Sequence, residues 1–147
     1  FPHPMPDWLI AFATHPATLL AVGGGTGANA RYWLGRLVVR VQGELEFPWA
    51  TFLINIAGSA ILGFVVAAFL NQPDALHSDP AKRNWYLLLG TGFCGGFTTF
   101  SAFSYETLKL MQDGKHGAAA AYAVGSVACG LLAVWLALKV AGGRGAG

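Results

Sequence analysis

Hydrophobic positions in this chain fall in long unbroken runs. They do not alternate as in a half-buried strand, nor form the narrow stripe of a soluble amphipathic helix. Three runs, at 48–70, 85–105 and 117–138, contain no charged residue. Crossing a hydrocarbon core of about 30 Å takes roughly 20 helical residues, so each run predicts a membrane-spanning helix. A fourth span is predicted over 17–38, although Arg31 and Arg36 lie within it. The expected fold is therefore an all-α membrane protein, a single domain over 1–147 with spans at about 17–38, 48–70, 85–111 and 117–139. The alternation of an outer-membrane barrel is missing from the pattern. Four short helices bury few faces, which points to a homodimer or larger assembly.

The third span is chemically odd. Within it Gly90-Thr-Gly-Phe-Cys-Gly-Gly-Phe-Thr-Thr-Phe-Ser-Ala-Phe-Ser104 is rich in glycine and hydroxyls. Gly95, Gly96, Thr98 and Thr99 are poor helix formers, because glycine loses more backbone entropy and threonine is stiff and offers competing hydrogen bonds. A break is expected at about 95–99, near the bilayer midplane. Lipid tolerates a broken helix only where protein buries it or it lines a polar cavity. With Phe100 and Phe103 following on one face of the resumed helix, the segment reads as an ion or substrate site.

Composition agrees with the runs: 54% of residues are hydrophobic and 11% charged, against about 25% charged in soluble proteins. Charge placement adds something new. If alternate loops face opposite sides, Lys82, Arg83, Lys139 and Arg144 oppose Arg36, Arg40, Lys109 and Lys115, four against four. Orientation follows the Lys/Arg difference between sides, and a balanced chain has no strong reason to insert one way up. Dual topology, and with it an antiparallel pair of identical subunits, follows as a hypothesis. The N-terminus lacks the basic start of a signal peptide. Phe1 to Pro4 are read as leader or added residues, with Met5 a candidate start. Cys94 and Cys129 sit inside predicted spans, where a buried small hydrophobe is the default reading.

Four features carry candidate chemistry. Gly23-Gly-Gly-Thr-Gly-Ala-Asn-Ala30 imitates a dinucleotide fingerprint, with Glu44 or Glu46 at the acidic position. Membrane spans follow it where strands and helices should alternate, so Gly23 and Gly27 are read as close helix packing. Arg31 is either a functional charge at a pore mouth or a side chain snorkelling to the interface. Thr51, Asn55 and Ser59 recur every fourth residue as a polar stripe, offering neutral donors to an anion or hydrogen bonds to a neighbouring helix. Phe100 and Phe103 share a face and could turn positive ring edges toward an anion; lipid contact or packing is the alternative, and their place after the break favours the former. Besides Arg31, Arg36 and Glu106, which lies near the end of span three, and the end residues Lys109 and Lys139 counted with the loops, no charged side chain falls in a span. Proton-coupled transporters normally need buried carboxylates or histidines. A nucleophile–base pair and metal-ligand spacings are also lacking, which argues against an enzyme.

With these residues in view, the chain resembles the Fluc (CrcB-type) family of fluoride channels. The match rests on Gly24 to Tyr32, on Thr51-x-x-x-Asn55-x-x-Gly58, and on Gly92-Phe-Cys-Gly-Gly-Phe-Thr-Thr-Phe-Ser-Ala-Phe103. The resemblance implies a passive fluoride-selective channel in the bacterial inner membrane, an antiparallel dual-topology homodimer with two pores. It implies one structural sodium ion (Na+) at the dimer centre, held by the backbone carbonyls of Gly95 and Thr98. Asn55, Phe100 and Phe103 match fluoride-pore positions; Thr51, Ser101, Tyr122 and Ser126 look like the rest of a polar track; Arg31 matches a vestibule arginine. Gly130 departs from the pattern, standing where some relatives would carry another hydroxyl. The partners implied are fluoride, an identical subunit and lipid, without nucleic acid. The rival is a small four-helix dual-topology exporter of the multidrug-resistance type, which needs an acidic residue in span one that this chain lacks.

Overall fold

The computed structural model describes residues 5–42, 47–70 and 75–142, all of its regular structure helical. Phe1–Pro4, Glu44, Glu46 and Arg144, which entered the sequence reading, lie outside the described residues. A short helix α1 (Asp7–Ala13) precedes the long α2 (Pro16–Gln42), and α3 (Trp49–Phe69) follows. After α4 (Ala75–Ser78), the third segment starts as α5 (Pro80–Trp85), widens into a π-helix over Tyr86–Cys94, and ends in one turn, α6 (Gly95–Phe97). It resumes as α7 (Phe100–Gln112), and α8 (His116–Gly142) closes the chain.

Local chemistry explains several boundaries. Asp79 caps α5, its Oδ1 accepting from the Ala81 and Lys82 amides at 2.9 and 3.2 Å, with Pro80 preset in the first turn. Gly114, at φ 76°, makes the tight turn between α7 and α8 that a side chain would strain. Sequence reasoning did not anticipate α1, whose seven residues fall short of the runs it searched for.

The helix α3, the run Pro80–Gln112 and α8 are each long and apolar enough to cross a membrane. α1 and α2 pass the same test only as a pair bent by 51°, which raises the candidates to as many as four. The protein is thus an all-α membrane protein. Its interior is small: Ile54, Val65, Cys94, Phe97, Leu110 and Tyr122 are buried, while many large apolar side chains, Leu131 and Trp135 among them, face outward. That is the inverse of a soluble protein and suits helices whose outer surface meets lipid or another subunit.

Two close seams hold the helices. α3 packs against α8, where Gly63 faces Ala137 and Val134. α2 packs against the π-helix and α6 so closely that a Cβ at Gly23 or Gly27 would strike the backbone of Leu88 or Phe93. The glycine run in α2 therefore serves backbone approach, which agrees with the packing reading and leaves no room for a nucleotide.

Gly27→Ala should consequently lower the thermal midpoint of the purified protein, with a penalty of about 1–3 kcal/mol for overpacking. Gly117→Ala, where an added Cβ meets nothing within 4 Å, should leave it unchanged or slightly raised. Equal midpoints for Gly27→Ala and the parent in a detergent melt would contradict the close seam.

Candidate functional site

The third segment breaks at two residues. Cys94 and Gly95 keep helical dihedrals (φ −63° and −64°), whereas Thr98 (φ −81°, ψ 164°) and Thr99 (φ −152°, ψ 115°) are extended. The interruption is thus narrower than the expected 95–99, because Gly95 to Phe97 complete a last helical turn. A break inside lipid leaves peptide groups that must find partners. At Thr98 and Thr99 they do. Asn55 of α3 accepts from the Thr99 amide at 2.9 Å through Oδ1 and donates to the Thr99 carbonyl at 3.2 Å through Nδ2. Its side-chain amide stands in for a paired peptide. Thr99 then caps α7, its Oγ1 accepting from the Ala102 amide at 3.2 Å. Arg31 of α2 donates from Nη1 to the Thr98 carbonyl at 3.1 Å. The Thr98 amide and hydroxyl both return to the Cys94 carbonyl, at 2.9 and 2.8 Å.

Two grooves flank the break, with Thr99 in the wall of both. The first, of about 630 Å³, is lined by Arg31, Arg36, Arg40, Thr51, Thr99 and Ser101, among others, and by no carboxylate among the described residues. Its three guanidiniums make it cationic. The second, of about 310 Å³, has no charged residue in its lining among the described residues; Asn55, Ser59, Thr98, Phe100, Phe103 and Ser126 contribute to it. The Phe100 and Phe103 rings lie 5.7 Å apart, tilted by 38°. Phe103 is in turn 5.2 Å from the Tyr122 ring. Ser126 Oγ is buried and has no hydrogen-bond partner among the described residues, and Asn55 Nδ2 carries a second N–H besides the one given to Thr99. Groove two therefore offers neutral donors and aromatic rings, the chemistry that suits a small anion.

Behind the grooves lies a three-residue cluster. Thr51 Oγ1 donates to Glu106 Oε1 at 2.8 Å, and Tyr122 Oη donates to Glu106 Oε2 at 2.7 Å. Tyr122 is 0% exposed, so the carboxylate is held from one side by a buried phenol. Charge-assisted bonds of this length are the stronger kind.

Comparison with known proteins decides the family. Residues 18–138 match the family model described as "CrcB-like protein, Camphor Resistance (CrcB)". The chain belongs to the CrcB family. Its curated relatives include proteins named "Fluoride-specific ion channel FluC". That of Paramagnetospirillum magneticum (strain ATCC 700264 / AMB-1) is 47% identical over 118 residues, 80% of this chain and 88% of the relative. Those of Novosphingobium aromaticivorans and Gloeobacter violaceus are each 45% identical, covering 82% and 81% of this chain and 91% and 90% of theirs.

In this CrcB-family chain the residues singled out from sequence separate into distinct places. Asn55, Phe100, Phe103 and Ser126 meet at groove two, while Arg31, Thr51 and Ser101 line groove one. Tyr122 lines neither of these grooves. The hydroxyl protons of Thr51 and Tyr122 go to Glu106, which the sequence reading placed near the end of span three and gave no role. One signal could have found it: Glu106 is the only carboxylate in the run 85–112, three residues after Phe103 and so on its face. Arg31 neither snorkels nor stands alone; half-buried, it tethers the break. At Gly130, the departure noted above, Ser59 of the facing helix brings its Oγ to 3.4 Å from where a Cβ would be.

Asn55→Ala should strand both peptide groups of Thr99, at a cost of about 1–3 kcal/mol for each buried group left unpaired. Hydrogen exchange is expected to quicken at Thr99 to Ala102 while the amides of α8 stay protected. Undiminished protection at the break would remove Asn55 from its backbone role.

Proposed function

We propose that this chain forms a passive, fluoride-selective channel of the bacterial inner membrane. The observation that carries this reading is the junction at Thr99, where a cationic groove meets one lined only by neutral groups. The named activity of the relatives supports it. Arg31, Arg36 and Arg40 raise the local concentration of anions at the entrance. Beyond the break no fixed cation among the described residues lines the groove, so an anion is held by the free N–H of Asn55, the Ser126 hydroxyl and the ring edges of Phe100 and Phe103. Such binding replaces part of a fluoride ion's hydration yet remains weak enough for exit, as conduction requires. Chloride, a weaker hydrogen-bond acceptor than fluoride, gains less from such donors. No part of this path needs a reaction, and the membrane potential drives the anion outward.

The working unit is proposed to be an antiparallel homodimer of four-span subunits with dual topology and two pores. The even Lys/Arg tally supports dual insertion, and Phe100, 79% exposed on the lone subunit beside the break, supports a covering partner. A sodium ion at the dimer centre belongs to the same proposal. Neutral carbonyl oxygens suit a hard cation, and Gly95 is exposed with open space around it. The Arg31 bond takes one lone pair of the Thr98 oxygen and leaves the other. The residues therefore fit, and Gly95 and Thr98 of each subunit would hold the ion, which supplies fixed positive charge between the chains. The exporter alternative needs an acidic residue in its first span, and α2 has none.

Fluoride efflux from proteoliposomes, followed by electrode after valinomycin opens a potassium leak, tests the function. Fast fluoride release without chloride release is expected; release that requires a proton gradient would favour the exporter. Phe100→Ile and Phe103→Ile should each cut the fluoride rate at least tenfold while the protein still elutes as the parent does. Wild-type rates in both variants would exclude the rings from the path. Replacing sodium by N-methylglucamine throughout purification should lower the thermal midpoint of the dimer, and an unchanged midpoint would remove the ion from the assembly.

A further inference from the structure

α1 lies ahead of residues 18–138, the stretch that the family shares, and none of its residues is buried. Trp8 is 71% exposed and Phe12 64%, with Met5 and Ile10 also open. Apart from Asp7 in its first turn the helix is apolar on every side. Seven residues span only about 10 Å and cannot cross a bilayer, nor does so short a helix hold its form in water unaided.

The corner joining α1 to α2 is built from specific bonds. The Thr14 amide and hydroxyl both donate to the Ile10 carbonyl, at 2.9 and 2.8 Å, and close α1. Three residues on, the Ala17 amide donates to His15 Nδ1 at 3.3 Å, and Pro16 opens α2. The chain turns by 51° at this corner. α2 has 27 residues, about 40 Å at 1.5 Å each, which exceeds a hydrocarbon core of about 30 Å. Its first turn reaches the lipid–water boundary, and with α2 tilted by about 20–40° from the bilayer normal the 51° bend brings α1 close to the plane of that boundary.

We propose that α1 is an interfacial anchor lying among the lipid headgroups, with Trp8 and Phe12 inserted toward the acyl chains. Its charge sets it apart. Interfacial helices commonly carry Lys and Arg on their polar face, whereas the stretch 1–15 has neither. Basic residues here would add to the Lys/Arg count of one side and bias insertion. α1 instead fixes the end of α2 without disturbing the four-against-four balance. This last step rests on the dual-topology reading above; the anchor does not.

Depth-dependent quenching by brominated phosphatidylcholines tests the anchor in proteoliposomes, the Trp8 signal being the difference between the parent and Trp8→Phe. The expected result is strongest quenching by bromines nearest the headgroup, at least twofold above the deepest. Absence of quenching at every depth, from water or a covering subunit, overturns the anchor. So does a maximum at the deepest bromines. The charge argument is tested separately with orientation reporters fused to the C-terminus. The parent should report both orientations, and Ala11→Lys/Ala13→Lys should shift their ratio at least threefold toward a cytoplasmic N-terminus. A one-sided parent overturns dual topology and the neutrality step with it, leaving the anchor to the quenching result. A balanced parent that the lysines fail to shift overturns neutrality alone.

Discussion

Everything around the candidate site depends on one constraint: inside a bilayer, a peptide group released from a helix must be paired again within the protein. At Thr98 and Thr99 the third segment releases several such groups, and the replacements come from three directions. Asn55 reaches from α3, Arg31 from α2, and Thr99 supplies its own hydroxyl. Each bond fixes a neighbouring helix relative to the break. The interruption is therefore the joint that sets where α2, α3 and α7 stand, and the two grooves are the space this joint leaves.

Arg31 reaches the Thr98 carbonyl because α2 runs unusually close to the π-helix. Glycines at 23 and 27 on one side, and at 92 and 96 on the other, remove the side chains that would hold the backbones apart. The π-helical winding adds to this, and such winding gathers at functional positions in many helices. Packing of this kind uses van der Waals contact in place of a thick hydrophobic core. It accounts for a protein with few buried residues and a broadly apolar outside.

Charge is arranged in sequence along the proposed path. Among the described residues, arginines stand only at the entrance, neutral donors and rings follow, and the carboxylate of Glu106 has each oxygen bonded to a hydroxyl, from Thr51 and from Tyr122. A bare carboxylate beside an anion path would repel its cargo, and two short hydrogen bonds spread that charge over three residues. Thr51 lines the cationic groove and holds Glu106 at once, so it links the entrance to the cluster behind it.

Much of the fold was legible in the unbroken apolar runs, since a hydrocarbon core sets the length of any helix that crosses it. The runs at 48–70 and 117–138 became α3 and α8 within a few residues, and the hydroxyl-rich stretch marked the interrupted segment. The family was legible too, in the spacing of Thr51, Asn55 and Gly58 and in the run ending at Phe103. Position along a chain says which residues share a helical face, but not which faces meet. So Asn55 could be read as a donor for an anion or as a bond between helices, and only the packed structure showed its amide closing on Thr99. The same limit hid Glu106, whose partners lie 55 residues before it and 16 after. Composition and periodicity determined that this chain enters a membrane and where its third helix would fail. Tertiary contact decided what repairs that failure, because hydrogen bonds across helices depend on approach within about 3 Å.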